Sequence, residues 1–126
     1  MVILDSSVII AYFRTNELDH ARAEKIFREN DILVIPNFVF SEVVTILKLK
    51  EGFEAAANAI EFLINGDGIE IIYIDESLFD SSIGYFVANK NTLSFVDTLL
   101  LRLANSEKVP LVTFDRELEK AMKKSL

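Results

Sequence analysis

Four short aliphatic runs punctuate the chain, each separated from the next by longer stretches with helical spacing. The runs are "VIL" at 2–4, "ILVI" at 32–35, "IEIIYI" at 69–74 and "LVTF" at 111–114. Their β-branched content and short length predict buried strands. "SSVIIAYF" follows the first run, and "ELDHARAEKIFREN" then reads as a helix of mixed charge. After the second run, Asn37 is placed to cap a helix over "FVFSEVVTILKLK". "FEAAANAIEFLIN" is a further helix, ended by Gly66. "ESLFDSSIGYFVANK", "FVDTLLLRLANSE" and "DRELEKAMKK" complete the helical set. Strands separated by helices give a parallel sheet covered on both faces. The expected fold class is therefore α/β, a three-layer α/β/α sandwich over a single domain, residues 1–126. In such sheets, sites form beyond the carboxyl ends of the strands.

Composition narrows the chemistry. The chain has no cysteine, so disulfides, thiolate metal sites and cysteine nucleophiles are excluded. Its one histidine, His20, lies in a charged helical pattern and reads as a helix-surface residue. A two-histidine zinc site is excluded, and HExxH is absent. What remains is hard oxygen chemistry: carboxylates, hydroxyls and the cations they hold. A net charge of −7 argues against a broad electrostatic nucleic-acid surface. "MVILDSSVII" lacks the basic start of a secretory signal, and no apolar run approaches a membrane span. A soluble, cytoplasmic chain is expected.

Four acids stand where apolar residues dominate. Asp5 ends "MVILD", Glu42 interrupts "FVFSEVVTIL", Asp97 sits in "LSFVDTLLLRLA", and Asp115 closes "PLVTFD". Each has an ordinary explanation. Asp5 and Asp115 can be helix N-caps after strands, with Thr113 bonding in the same turn as Asp115. Glu42 has Phe38, Val39, Thr45 and Ile46 at helical spacing, so it lies on or beside an apolar stripe. There it is either partly exposed or paired with Lys48 or Lys50. Asp97 forms Ser94-x-x-Asp97, a capping-box pattern in the first turn of a helix. Yet all four acids can reach one edge of the sheet. Like charges within a few ångströms repel and raise one another's pKa unless a cation lies among them. Carboxylate oxygens suit Mg²⁺ or Mn²⁺.

"MVILDSSVIIAYF", "IPNFVFSEVV", "LSFVDTLLLRLA" and "PLVTFDRELEK", in that order, resemble the PIN domain family, most closely its small VapC-type toxin ribonucleases. Together they span nearly the whole chain. The resemblance implies that Asp5, Glu42, Asp97 and Asp115 form the metal site, supported by hydroxyls at Thr113 and Ser6. It implies divalent-metal-dependent endonucleolytic cleavage of RNA, with Mg²⁺ or Mn²⁺ activating a water for in-line attack on phosphorus. It further implies a homodimer and a cognate antitoxin partner; no membrane association is expected, because no apolar run is long enough to span one. "SEKVPLVTFD" departs from the family in lacking the glycine common before the final strand, which puts the local turn in question.

RNA approaching an acidic protein needs cations. Arg14, Lys48, Lys50, Arg102 and Arg116 are the candidates near the sheet edge, and Tyr12 and Phe114 are aromatic rings able to stack bases or pack in the core. The rival readings are a Mg-dependent phosphohydrolase of another α/β family, a receiver domain, and a PIN-like module that only binds protein. The haloacid dehalogenase pattern needs an Asp at position 7, which is Ser. A receiver needs an acidic pair after its first strand, where Asp5 stands alone, although Asp75 follows the third strand. "NGDG" at 65–68 precedes a strand and so does not read as a phosphate loop.

Overall fold

Val2–Leu4 are buried without exception, as a strand covered on both faces requires, and form β1 at the centre of the sheet. The computed structural model describes residues 1–90 and 92–124. The strands that flank β1 are β2 (Leu33–Pro36), β3 (Ile69–Ile72) and β4 (Leu111–Val112). All pair parallel, in the order β3-β2-β1-β4, with Ile3 opposite Val34 on one side and Leu111 on the other.

The helices are α1 (Ser6–Phe13), α2 (His20–Glu29), α3 (Asn37–Glu51), α4 (Phe53–Asn65), α5 (Glu76–Ala88), α6 (Phe95–Glu107) and α7 (Arg116–Lys124). From β1 through β2 to β3 the chain steps one way; β4 then returns to the far side of β1. Right-handed crossovers therefore put α1–α4 on one face and α5 and α6 on the other. The packing agrees: α1 rests on α2 and α3, α3 on α4, α5 on α6, and α6 on α7. The fold is thus the expected α/β/α sandwich. Its direction reverses between β1 and β4, so the crevice beyond their carboxyl ends is where a ligand site is expected.

α6 explains its leucines. Leu99, Leu100, Leu101 and Leu103 are all buried, since the helix is wedged between the sheet and α5 and α7. Its C-cap, Lys108, takes the left-handed conformation (φ 56°, ψ 42°) and sends its N–H to the Ala104 carbonyl. The turn that lacks the family's glycine is therefore made by a lysine, at a cost of about 1–2 kcal/mol.

Several expected boundaries shift. β3 ends at Ile72 rather than residue 74, and the chain then turns to Asp75, which caps α5 through Leu78 N–H at 2.7 Å. β4 ends at Val112 rather than residue 114, because Thr113 turns its hydroxyl toward β1. Pro36, not Asn37, occupies the N-cap of α3; Asn37 is already helical, and its buried Oδ1 has no partner among the described residues. His20 opens α2, and its Nδ1 donates to the Ala11 carbonyl at 2.8 Å, tying α2 to α1. No helix among the described residues is long and apolar enough to cross a membrane.

Candidate metal centre

Asp5 leaves the end of β1 and is buried, an expensive place for a carboxylate without partners. Its partners come from two segments. Oδ1 accepts the Ser6 N–H at 2.8 Å, which caps α1. Oδ2 accepts the Thr113 hydroxyl at 2.6 Å and the Ser7 hydroxyl at 2.9 Å. Across the sheet, Asp5 N–H donates to the Val112 carbonyl at 3.0 Å. The end of β1 and the segment after β4 are thereby stitched together at the reversal point.

Asp115 follows in the same segment. Its N–H donates to the Thr113 hydroxyl at 3.0 Å. Its Oδ1 accepts Glu117 N–H at 2.8 Å and Leu118 N–H at 3.1 Å, so it caps α7 as expected. Oδ2 accepts no hydrogen bond among the described residues and is open to another partner.

Asp97 arrives from the first turn of α6. The capping box forms: Asp97 N–H donates to the Ser94 hydroxyl at 3.1 Å. The carboxylate is also part of a charge cluster. Burial first, then the charges of Asp5 and Asp115, push its pKa above the ordinary carboxylate range, against hydrogen bonds from Ser94 that pull it down. Asp97 therefore takes part in the cap at the start of α6 from a place where burial and two neighbouring carboxylates disfavour its charge.

Glu42 comes from a further element, α3. It is half-buried on α3, beside the buried stripe of Val39, Val43 and Leu47. Neither Lys48 nor Lys50 pairs with it among the described residues.

The supporting hydroxyls divide differently from expectation. Ser6 contributes its backbone N–H, while its hydroxyl lies 3.5 Å from Asp5 Oδ1. Ser7 makes the shorter hydroxyl contact and also accepts Phe114 N–H at 3.0 Å. The resemblance pointed to Ser6; the turn into α1 brings the Ser7 hydroxyl closer to Asp5. Position 7 thus holds a hydroxyl serving Asp5, and Asp75 is a helix cap; neither rival phosphate site has its second acid.

Donor chemistry decides whether a hard divalent cation fits. Asp5, Asp97 and Asp115 supply carboxylate oxygens with acceptor capacity left over, and their mutual repulsion favours a cation among them. No group of three or more such side chains among the described residues is drawn together tightly enough to hold a metal as it stands. The donor chemistry suits a hard cation, and Asp115 Oδ2 is left without a hydrogen bond among the described residues.

Two of the five basic candidates, Arg14 and Arg102, are committed elsewhere. Arg14, at the far end of α1, is bound by Glu17 at 2.6 Å and Glu51 at 2.7 Å. Arg102 donates to Ser81 and Ser82 and lies over the Tyr85 ring, facing α5. Lys48 and Lys50 lie in the last turn of α3. Arg116 directly follows Asp115 and is exposed. Tyr12 stacks on Phe27 at 3.8 Å within the α1–α2 packing. Phe114 packs on the core on one side, and Arg22 of α2 lies 4.4 Å above its ring.

The sequence matches the PIN domain over residues 2–124. Among solved structures, the chain superposes on VapC20 of Mycobacterium tuberculosis, described as a Sarcin-Ricin loop cleaving toxin. The TM-score is 0.87 at 18% identity, covering 96% of this chain and 95% of that one. A toxin-antitoxin complex from Klebsiella pneumoniae gives 0.66 at 17% identity, covering 91% and 87%. VapBC2 from Rickettsia felis, bound to a DNA fragment from its promoter, gives 0.70 at 14%, covering 95% and 92%. At these identities the likeness speaks for the fold. No curated protein matches the sequence significantly.

Proposed function

Since the chain belongs to the PIN domain family, we propose that it is a divalent-metal-dependent endoribonuclease acting in the cytoplasm as the toxin of a toxin-antitoxin pair. What supports this reading is that Thr113 links Asp5 to Asp115 at the reversal point of the sheet, and that the charges of both act on Asp97 at the start of α6. Glu42 is proposed as the fourth acid, reaching the site from α3. The VapC20 and Klebsiella structures support the toxin and antitoxin parts by analogy of fold.

Mg²⁺ or Mn²⁺ held by these carboxylates would polarise the scissile phosphate and make water nucleophilic at neutral pH. The chain's own residues prepare the place. Ser7 and Thr113 fix the Asp5 carboxylate, and Thr113 also holds the Asp115 backbone. Asp97, on a helix start, supplies charge that the fold does not neutralise. The lack of a preassembled triad favours a second reading, a PIN-like module that acts by protein binding alone.

Cleavage separates the two. Purified protein, free of antitoxin, is expected to cut RNA internally with millimolar Mg²⁺ or Mn²⁺ and not with EDTA. Cleavage that persists in EDTA would refute the metal dependence, and no cleavage of any RNA under either condition would favour the binding module.

A homodimer is also proposed. The apolar stripe of α3 named above is spent on the core, so it leaves nothing for a partner. Exposed apolar residues occur on α4 as well, but on α5 Phe79, Ile83, Phe86 and Val87 line one side, with Phe95 packed edge-on to two of the rings. Sedimentation at tens of micromolar should show a dimer, and Ile83→Asp should shift it to monomer. A wild-type monomer at that concentration would remove the proposal.

A further inference from the structure

We propose that Arg22 is a substrate-binding residue that contacts an RNA phosphate at the rim of the acidic site; the inference rests on the ribonuclease reading. An RNA cleaved among three carboxylates must be held by cations nearby, since the chain carries a net charge of −7. Arg14 is held by two glutamates, and Arg102 by the hydroxyls of α5. Arg22 lies far in sequence from every site residue, yet its guanidinium sits 4.4 Å above the ring of Phe114. Phe114 is the residue between Thr113 and Asp115, and its N–H is fixed by Ser7. The segment that positions two site residues therefore positions Arg22 as well.

The side chain is available. Arg22 is exposed, and Asp19 engages it through Nη1 alone, at 3.0 Å. The remaining N–H groups on Nε and Nη2 form a fork suited to phosphate. Asp19 is the N-cap position of α2 but makes no side-chain capping bond; among the described residues its carboxylate bonds Arg22. An exposed pair of this kind is weak and is readily exchanged for a phosphate. Asp19 thus acts as an internal competitor for the site that RNA takes.

Arg22 also covers Phe114, so the test separates packing from charge. Arg22→Met keeps an apolar cover and removes the charge; Arg22→Lys keeps the charge; Asp19→Asn removes the competitor. Binding of a labelled single-stranded RNA oligomer of mixed sequence is measured with Mg²⁺ in an Asp5→Asn background. Arg22→Met is expected to weaken binding about fivefold and to lower the slope of log affinity against log salt by about 0.7. Arg22→Lys should retain most of both, and Asp19→Asn should tighten binding. In the cleaving protein, Arg22→Met should raise KM far more than it lowers kcat. Unchanged affinity and salt slope in Arg22→Met, or an equal loss in Arg22→Lys, overturns the inference. Absence of cleavage by wild type that still binds RNA through Arg22 overturns the ribonuclease reading instead.

Discussion

Asp5→Asn is expected to lose RNA cleavage by about 100-fold or more while the protein stays folded. Loss of a residue that only supports a metal ligand typically costs 10–100-fold in affinity or activity, so loss of a ligand carboxylate should cost at least about 100-fold. Asp5 is the most constrained of the acids, with three short hydrogen bonds from Ser6, Ser7 and Thr113. Asparagine keeps one acceptor oxygen for them and presents an amide where a second acceptor stood. Some stability is lost there, and some is regained because Asp97 faces one fewer charge. Circular dichroism of the variant checks that the fold persists. Cleavage within threefold of wild type by folded Asp5→Asn would mean that Asp5 is a helix cap and no more.

Gly68→Ala should do the opposite, weakening the fold and sparing the chemistry. Gly68 has φ +76°, and a Cβ there would lie 2.3 Å from the Asp31 carbonyl oxygen, a backbone atom that cannot swing aside. Its own carbonyl accepts Leu33 N–H at 2.7 Å, which locks the start of β3 to the start of β2. Left-handed strain and the clash together should cost roughly 2–4 kcal/mol, or about 8–20 °C in Tm at this size. The turn lies at the opposite edge of the sheet from Asp5. Activity per folded molecule should therefore be unchanged below the transition. A melting temperature within 2 °C of wild type would show that the turn relaxes freely.

Much of this was legible in the sequence because it depends on local patterns. Strand-helix alternation gave the parallel sheet, and apolar runs placed β1 and β2 within a residue. The two strand-end acids were legible as caps, and both are caps. That the same Asp5 and Asp115 also act on Asp97 depends on strand order, which no local pattern encodes. Ser7 was hidden for a similar reason: its bond to Asp5 is local, but its bond to Phe114 N–H crosses the sheet. Arg14 and Arg102 looked free in sequence because Glu51, Ser81 and Ser82 reach them from other elements, although Glu17 is only three residues from Arg14. Arg22 was invisible until α2 folded against the segment after β4.

The central claim is that the clustered acids are a cation site, and thermal unfolding of wild type and Asp97→Asn tests it most directly. The folded-state pKa of Asp97 lies above its ordinary value of 3.8, so the fold prefers the protonated form. That preference stabilises fully below the ordinary value and is lost as pH rises through the higher folded value. At pH 7 in EDTA, wild type therefore carries a cost that Asp97→Asn lacks, and the variant should melt higher. The gap should close as pH falls through that window. Millimolar Mg²⁺ or Mn²⁺ should stabilise wild type by mass action, by about 2.7 kcal/mol at a hundred times Kd, and the variant much less. A variant that melts lower in EDTA and gains as much from metal as wild type would contradict the account, leaving Asp97 a helix cap and the cluster without its cation.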